Sequence, residues 1–545
     1  MTPTIEAKTK ELIDDLKSTC ANYGLGNDGN EYKIITQIFL YKFINDKFGY
    51  EVKNLDSPYK KRINSAENWE EGLSKLTEEE YEDLISFTLP ADSPKLMPQH
   101  FISTIWNQQG KGDFATLLDA TLVDIGNFNT AIFSVKTANE TSVTLFENIT
   151  TYIPDTAQRD DFARALVSRL VNFNFEQTFG QKHDFYAVIF EYLIKDYNKD
   201  GGGKYAEYYT PHSVARIMAQ LMVRQGEDVK SVTCYDPSAG SGTLLMAIAH
   251  AIGADRCTIY SQDISQKSSK MLRLNLILNN LVHSIHNIIQ GDTLVSPYHT
   301  NDDGTLRNFD YIVSNPPFKL DFSDTQSKLT SCGRFWAGVP KVPNKDKSKM
   351  SIYLCFLQHI INSLSDKGKA AIVVPTGFIT AKNGIEFKIR EKLVKDKILR
   401  GVVSMPSNIF ATTGTNVSIL FIDKANKTDK AVFIDASKLG EEYKDGSNQR
   451  TRLRDFEEQN IVDAFHNAEP IDGFSVTPSF SEIKEKGYSF SAGQYFDIKI
   501  EYIEITADEF EQKMADHKRN LKALFEESSS LETEIMKQLE GLKYE

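Results

Sequence analysis

No apolar run in this 545-residue sequence reaches the roughly 18 residues that a membrane-spanning helix needs. The first residues also lack the basic and apolar regions of an export signal, which predicts a cytoplasmic protein with no membrane association. The cysteines are few and scattered, and none of them form a CxxC pair: Cys20, Cys234, Cys257, Cys332 and Cys355. We therefore expect reduced thiols, and the sequence predicts neither a disulfide framework nor a metal site.

Positive charge is also in deficit, because the formal net charge is −13 at pH 7. Neutralisation of phosphates supplies most non-specific affinity for nucleic acid, so this negative net charge excludes a protein that binds DNA over its whole surface. A DNA-binding function would require a locally basic face or a partner that holds the DNA. The length allows two or three domains with a sizeable core.

Residues 232–433 alternate between strand and helix patterns. Strands are expected at Val232–Tyr235, Thr258–Gln262, Ile285–Gln290, Tyr311–Ser314, Ala370–Val374, Gly401–Ser404 and Val417–Ile422. Helices are expected near Ser241–Ala251, Gln266–Leu281, Met350–Leu364 and Glu386–Val394. This alternation predicts an α/β fold with a mostly parallel sheet that is covered on both faces, with function at the carboxyl ends of its strands.

The regions on either side of this sheet look helical. Apolar residues from Glu31 to Phe48 recur at helical spacing and indicate a helix packed in a core. Near the C-terminus, Thr506–Glu509 reads as a capping box that opens a helix with an interrupted apolar stripe. That stripe must be buried against the chain's own core or a partner helix, and we favour the partner. The predicted domains are residues 1–175, 176–480 and 481–545.

A glycine-rich turn follows the first strand of the sheet, in Asp236-Pro237-Ser238-Ala239-Gly240-Ser241-Gly242-Thr243. Such a turn brings backbone N–H groups close to a ligand, but the segment lacks the Gly-Lys-Ser/Thr of a triphosphate loop and the full dinucleotide spacing. Asp263 and Asp292 follow the next two strands. Asp263 is placed to accept from ribose hydroxyls. Any one of these acids is equally well explained as a turn former, but the three together favour a nucleoside site.

The tetrapeptide Asn315-Pro316-Pro317-Phe318 follows a later apolar strand. An exocyclic amine is a poor nucleophile because its lone pair is delocalised into the ring. The Asn315 side-chain oxygen and the Pro316 carbonyl oxygen can hold the two N–H bonds as positive charge develops on nitrogen. Phe318 offers a stacking surface for a base taken out of a duplex. Methyl transfer from S-adenosylmethionine to such an amine fits both motifs, whereas the alternative is a proline-rich turn with a packed phenylalanine.

A long segment without clear periodicity, residues 319–349, follows this tetrapeptide. Its basic side chains outnumber its acidic ones, and Phe322, Phe335 and Trp336 lie among them. Basic and aromatic residues beside the proposed pocket suit contact with a phosphate backbone. A merely solvated loop is the alternative.

These motifs resemble those of a known family. Asp236–Gly242 is similar to the cofactor motif of adenine-specific DNA methyltransferases, and Asn315-Pro316-Pro317-Phe318 is similar to their catalytic tetrapeptide. Glu207-Tyr208-Tyr209-Thr210-Pro211 resembles a further cofactor-binding motif of one subgroup. Because a helical region precedes these motifs and no target-recognition domain is evident behind them, the chain resembles the modification subunit of type I restriction-modification systems.

This resemblance implies a Rossmann-like, S-adenosylmethionine-dependent methyltransferase domain that methylates the N6 amine of adenine in double-stranded DNA. It implies a specificity subunit, a restriction (translocase) subunit and a second modification subunit as partners. The target adenine would be held by Asn315, Pro316 and Phe318, with Pro317 fixing the backbone. The implied cofactor-binding residues are Glu207, Tyr208, Tyr209, Thr210, Pro211, His212, Asp236, Gly240, Ser241, Gly242, Thr243, Asp263 and Asp292.

Three alternatives to this function stay open on the sequence. A methyltransferase acting on a protein glutamine or on an RNA base can also use an Asn-Pro-Pro-aromatic tetrapeptide. A non-catalytic assembly subunit would bind the cofactor only structurally. One departure from the family pattern is Thr243, which stands where the family often has a smaller residue.

Overall fold

The computed structural model describes residues 4–26, 29–137, 142–179, 188–190, 192–193, 210–410, 416–445, 448–496 and 506–540. The chain divides into two compact units, Met1–Tyr495 and Phe496–Glu545. Within the described ranges, no helix combines the length and the apolar character that crossing a membrane requires.

The N-terminal region is built mainly of helices: α1 (Ile5–Asn22), α2 (Glu31–Asn54), α3 (Lys60–Asn64), α4 (Trp69–Ser74), α5 (Glu78–Asp83), α6 (Ile102–Trp106), α7 (Phe114–Phe128), α8 (Thr130–Phe133) and α9 (Arg159–Val171). The predicted core helix from Glu31 is α2, and its apolar residues, including Ile34, Ile38 and Phe43, are buried as expected. It continues six residues further than the apolar pattern, to Asn54.

Within the described residues, the main sheet has eleven strands in the order β13-β10-β8-β9-β7-β6-β3-β4-β5-β1-β2. The strands are β1 (Ser134–Thr137), β2 (Ser142–Thr144), β3 (Val232–Asp236), β4 (Cys257–Asp263), β5 (Ile288–Gln290), β6 (Phe309–Ser314), β7 (Leu364–Pro375), β8 (Leu399–Ser404), β9 (Val417–Asp423), β10 (Val432–Asp435) and β13 (Ser475–Val476). A separate hairpin pairs β11 (Glu441–Asp445) with β12 (Asn448–Arg452). The central strands β5-β4-β3-β6-β7 are parallel, and β9 runs antiparallel to β7 and β8.

Helices cover this sheet on both faces. Every residue of Ala370–Val374 in β7 is 0% exposed, and successive strand residues point to opposite faces, so both faces are buried. The helices beyond the N-terminal region are α10 (His212–Met222), α11 (Thr243–Ile252), α12 (Gln266–Leu278), α13 (Gln326–Ser331), α14 (Tyr353–Asn362), α15 (Thr376–Thr380), α16 (Gly384–Lys395), α17 (Asp455–Asn467), α18 (Phe480–Glu485) and, in the second unit, α19 (Ala507–Glu540). The predicted covered, mostly parallel α/β sheet is confirmed.

The predicted strand Ile285–Gln290 is shorter than expected. Residues Val282–Asn287 form a 3-10 turn, and only Ile288–Gln290 pair as β5. In the turn, Ser284 Oγ accepts from Ile259 N at 2.9 Å, and His283 Nε2 lies 3.0 Å from the carbonyl oxygen of Cys257. Side chains of this turn therefore satisfy backbone hydrogen-bonding groups of β4 that the predicted strand over residues 285–290 is expected to pair with.

Two further expectations from the sequence concern chain organisation. The sequence pattern also predicts a helix over residues 185–197 that ends at a glycine-rich break over residues 198–203, and most of this segment lies outside the described residues. The N-terminal region also contributes strands that its helical pattern did not predict, because β1 pairs with β5 through Lys136 and Ile289. The predicted domain boundaries at 175/176 and 480/481 stay predictions.

Candidate functional site

The sequence-predicted site residues lie along the carboxyl edge of the parallel strands. Strand β3 ends at Asp236 and β4 ends at Asp263, while Asp292 follows β5 and Asn315 follows β6. Strand β3 lies between β4 and β6, so the turn after β3 neighbours the segments after both strands. This arrangement is the usual ligand crevice of an open α/β sheet.

The turn after β3 is shaped by two glycines. Gly240 has φ 53° and Gly242 has φ 84°, a region that favours glycine, and a Cβ at Gly242 would overlap the side chain of Leu272. Helix α12 steadies the turn, because Asn275 Nδ2 donates to the Ser241 carbonyl oxygen at 3.1 Å. The hydroxyls of Ser241 and Thr243 lie 3.3 Å apart at the start of α11. Close approach of a ligand to backbone N–H groups requires a turn of this kind.

Asp263 joins this turn to the neighbouring strand. Its Oδ2 accepts from Gly240 N at 2.9 Å, and its Oδ1 accepts from Ser265 N at 2.8 Å. Burial raises the pKa of the Asp263 carboxyl, and these two N–H donors act in the opposite direction. The next residue, Ile264, leaves 64% of its surface exposed. The end of β4 thus places the fixed carboxylate of Asp263 beside the solvent-exposed side chain of Ile264.

Asp236 is buried beneath the same turn. Its Oδ1 accepts from Ser238 N at 2.9 Å, and the Ser238 hydroxyl lies 2.8 Å from that of Ser314 on β6. Burial raises the pKa of Asp236 to about 7, the Ser238 N–H partly counters this effect, and the charge of Asp263 adds to it. The Ser238–Ser314 pair therefore couples the glycine turn to the residue that precedes Asn315.

Asn315 is only 9% exposed, and its carboxamide is held by a segment far away in sequence. Its Nδ2 donates to Thr210 Oγ1 at 3.2 Å, and Thr210 is itself buried. Pro316 is buried, whereas Pro317 and Phe318 are half-buried. The Phe318 ring meets Tyr353 edge-on, with 6.2 Å between ring centroids. With the amide nitrogen bound to Thr210, the amide oxygen is the end that remains to accept from a substrate amine.

The structure brings most of the predicted residues together, but not all in one contact network. Thr210 contacts Asn315, Asp263 contacts Gly240, and Pro211 and His212 form the start of α10. Asp292 accepts at Oδ1 from Leu294 N and Val295 N at 2.9 and 3.0 Å, which are contacts within its own turn. The predicted cofactor residues Glu207, Tyr208 and Tyr209 lie outside the described residues.

Four residues that shape this edge were not singled out from the sequence. Ser314 and Asn275 make the contacts given above, and Thr293 Oγ1 donates to the Pro237 carbonyl oxygen at 2.7 Å. Their polar types alone do not distinguish them from surface residues. Ile264 did carry a signal, because an apolar residue directly after a strand-end acid has no place in the strand's buried pattern.

A family model described as N-6 DNA Methylase matches residues 181–502. The chain is 28% identical over 368 residues to the methylase subunit of the type I restriction enzyme MpnII from Mycoplasma pneumoniae, covering 66% of this chain and 64% of that protein. It is 28% identical over 397 residues to the methylase subunit of the type I restriction enzyme MjaIX from Methanocaldococcus jannaschii, covering 69% and 67%. The chain thus spans about two thirds of the length of these curated relatives.

A solved structure shares the fold over most of the chain. The methyltransferase subunit of a type I restriction-modification system from Streptococcus thermophilus aligns with a TM-score of 0.72 at 22% identity, covering 91% of this chain and 100% of that one. At this identity the likeness concerns the fold, and it confirms the predicted methyltransferase architecture. The family match confirms the predicted resemblance to N6-specific DNA methyltransferases, and the sequence relatives are methylase subunits of type I restriction enzymes.

Proposed function

Because this chain belongs to the N-6 DNA Methylase family, we propose that it transfers a methyl group from S-adenosylmethionine to the N6 amine of adenine in double-stranded DNA. One observation carries the proposal within the structure. Asn315, at the end of β6, lies beside the glycine turn at the end of β3, and the Ser238–Ser314 hydroxyl pair joins the two segments at 2.8 Å.

In this proposal, Asn315 and Pro316 act on the adenine amine. The Asn315 Oδ1 and the Pro316 carbonyl oxygen accept its two N–H bonds, which draws electron density onto nitrogen. These acceptors are fixed before the substrate arrives, so they stabilise the positive charge that develops without reorganising. Phe318, held against Tyr353, stacks on the extruded base.

The residues at the ends of β3 and β4 fit a nucleoside-bearing cofactor. The glycine turn offers backbone N–H groups where a side chain would collide with Leu272. Asp263 suits ribose hydroxyls, and Ile264 offers an apolar face to a base. Asp292 is the candidate for the edge of that base. When bound, S-adenosylmethionine supplies a methyl group on a positively charged sulfur.

Thr210 serves in this proposal as a positioning residue for Asn315. Replacing Thr210 with valine keeps the shape but removes the acceptor for Asn315 Nδ2, so the carboxamide loses the contact that fixes its orientation. We expect kcat to fall about tenfold, the equivalent of one hydrogen bond, with cofactor affinity within about twofold of wild type. Thr210→Ser should restore kcat. A loss of cofactor affinity with unchanged kcat would instead assign Thr210 to the cofactor alone.

We further propose that the chain works as the modification subunit of a type I complex, with a specificity subunit, a second modification subunit and, for cleavage, a restriction (translocase) subunit. The relatives are named as subunits of such enzymes. The second unit supports this assembly, because α19 is a 34-residue helix with all its described residues exposed. Its apolar residues recur at spacings of three, four or seven positions, as in a helix that pairs with another helix: Phe510, Met514, Leu521, Leu524, Leu531 and Ile535.

A pair of substitutions on α19 tests this assembly. We expect Leu524→Glu with Leu531→Glu to abolish co-purification with the specificity subunit, because two charges would enter an apolar seam. Ser529→Glu with Thr533→Glu adds the same charge on the opposite face of the helix and should leave co-purification intact. Equal recovery of both variants with the specificity subunit would exclude this stripe as the contact.

The catalytic proposal is tested by methyl incorporation. The chain, purified with its specificity subunit, is given labelled S-adenosylmethionine and either duplex DNA, RNA or protein. Label recovered as N6-methyladenine in DNA is the expected result. Label in RNA or on a protein glutamine would move the substrate to another class, and no transfer to any of them would support a non-catalytic subunit.

A further inference from the structure

The segment between Phe318 and α14 folds into a small lobe, residues 319–349, called here the basic lobe. Apolar residues of the lobe pack with residues of the adjoining segments in a separate hydrophobic cluster, which consists of Leu294, Phe322, Leu329, Phe335, Met350, Ile352, Cys355 and Phe356. The lack of periodicity in its sequence therefore reflects an irregular but packed structure. The fold therefore fixes which side chains of the lobe lie at its surface.

Helix α14 fastens the basic lobe through two polar side chains that lie one helical turn apart, Gln358 and Asn362. Gln358 Oε1 accepts from Ala337 N at 2.7 Å, and Gln358 Nε2 donates to the Gly338 carbonyl oxygen at 3.0 Å. Asn362 Nδ2 donates to the Arg334 carbonyl oxygen at 2.9 Å. The lobe is thus attached to the helix that also supports Phe318 through Tyr353.

A chain of hydrogen bonds, part-buried at Arg334 and buried at Tyr235, connects the basic lobe with the catalytic edge. Arg334 Nη1 lies 3.1 Å from His359 Nδ1, and His359 Nε2 lies 3.1 Å from the Tyr235 hydroxyl on β3. Burial lowers the pKa of His359 to about 3, so the ring is neutral at neutral pH. Since a guanidinium can only donate, Nδ1 accepts and Nε2–H donates to Tyr235. Arg334 also donates to the carbonyl oxygen of Leu294, two residues beyond Asp292.

The two ends of the lobe meet next to the catalytic tetrapeptide. Leu320 N donates to the Met350 carbonyl oxygen at 3.1 Å, which closes a neck directly after Phe318. Lys319 and Lys349 are exposed beside this hydrogen bond, and Lys347, two residues before Lys349, is exposed as well. We call these three residues the neck lysines.

The acids of the lobe only partly offset this charge. Lys349 Nζ lies 3.2 Å from Asp346 in a pair whose side chains are 70% and 44% exposed, so solvent weakens the attraction. The pKa of Asp321 is lowered chiefly by Ser323, and the charge of Lys347 contributes to this shift. The whole lobe carries Lys319, Lys328, Arg334, Lys341, Lys345, Lys347 and Lys349 against Asp321, Asp324 and Asp346. It is a basic surface on a chain with a net charge of −13.

We propose that the neck lysines bind phosphates of the DNA strand that carries the target adenine, next to the extruded base. This inference rests on the proposed function and assigns a DNA-contacting surface to the catalytic chain itself. An acidic chain can hold DNA only through a locally basic face or a partner. The neck lysines provide such a face one residue from the stacking ring of Phe318, where the backbone of an extruded nucleotide must pass. Phosphate contacts of this kind fix position without reading sequence.

The salt dependence of DNA binding tests this surface. The chain with its specificity subunit is titrated with a duplex carrying the recognition site, from low to moderate salt, as wild type and as Lys319→Gln, Lys347→Gln, Lys349→Gln. Each phosphate contact contributes about 0.9 to the slope of log K against log salt, so we expect the triple variant to lose about 2 to 3 from that slope for each copy of the chain in the complex. The affinity for S-adenosylmethionine should stay unchanged.

A matched triple variant controls for overall charge. Lys230, Lys367 and Lys397 are exposed near the amino ends of β3, β7 and β8, at the opposite edge of the sheet. Their replacement by glutamine removes the same charge and should leave the slope within about 0.5 of wild type. An unchanged slope for the neck variant, or an equal fall in the control, would overturn the proposal. Failure of the wild-type complex to methylate adenine would overturn the proposed function instead, since the binding slope is measured without turnover.

Discussion

Replacing Asn315 with alanine is expected to reduce methyl incorporation into DNA by a factor of about a thousand or more, while S-adenosylmethionine still binds. The substitution removes the side-chain acceptor for the adenine amine. It leaves the glycine turn and Asp263 untouched, since the carboxamide of Asn315 contacts Thr210 and not the turn. Single-turnover transfer of labelled methyl, together with calorimetric titration of the cofactor, measures the two properties separately.

Two further variants make the Asn315 experiment specific. Asn127 is exposed on α7 in the N-terminal region, so Asn127→Ala removes the same group outside the site and the basic lobe and should leave transfer unchanged. Asn315→Asp keeps an acceptor oxygen but loses the donor to Thr210, and we expect it to retain only a small part of the activity. If Asn315→Ala lost cofactor binding and transfer to the same extent, the carboxamide would be a part of the cofactor site and not the acceptor for the amine.

The sequence predicts a helix or strand well where a single local pattern of residues determines that element. Strand β3 is a short apolar run that ends at an acid and a glycine turn, and the structure extends the prediction only from Tyr235 to Asp236. Helix α14 is shorter than predicted, because Met350 remains in the lobe cluster and Leu364 already pairs with Phe309 in the sheet. Where tertiary contacts compete with the local pattern, the boundaries move.

The parts of the site that the sequence does not predict depend on distant pairs. The Asn315–Thr210 hydrogen bond joins residues 105 positions apart, and the Ser238–Ser314 pair joins residues 76 positions apart. Nothing in the local sequence of Ser314 distinguishes it from any strand-end serine. The tetrapeptide and the glycine turn were recognisable because their chemistry is carried by consecutive residues, whereas their coupling exists only once β3 and β6 are neighbours.

The second large effect is expected at Asp263, where Asp263→Asn should weaken S-adenosylmethionine binding about a hundredfold. The carboxylate accepts from the backbone N–H of Gly240 and of Ser265, one on each oxygen. An amide has one acceptor and one donor, so one buried N–H would face the new NH2 group. The turn that Gly240 belongs to is then no longer held in place for the cofactor, and the ribose hydroxyls lose a charge-assisted acceptor, which together we expect to weaken binding by about 3 kcal/mol. Calorimetric titration of the cofactor measures the effect.

A control for Asp263 comes from an aspartate with similar bonding but no ligand role. Asp303 accepts from Thr305 N at 2.9 Å and from the Thr305 hydroxyl at 2.6 Å in an exposed turn, so Asp303→Asn applies the same chemical change outside the site. Its cofactor affinity should match wild type. The melting temperature distinguishes a released turn from a damaged fold, because only the second would lower it by many degrees. Retention of full cofactor affinity by a well-folded Asp263→Asn variant would show that the carboxylate neither shapes the turn nor receives the ribose.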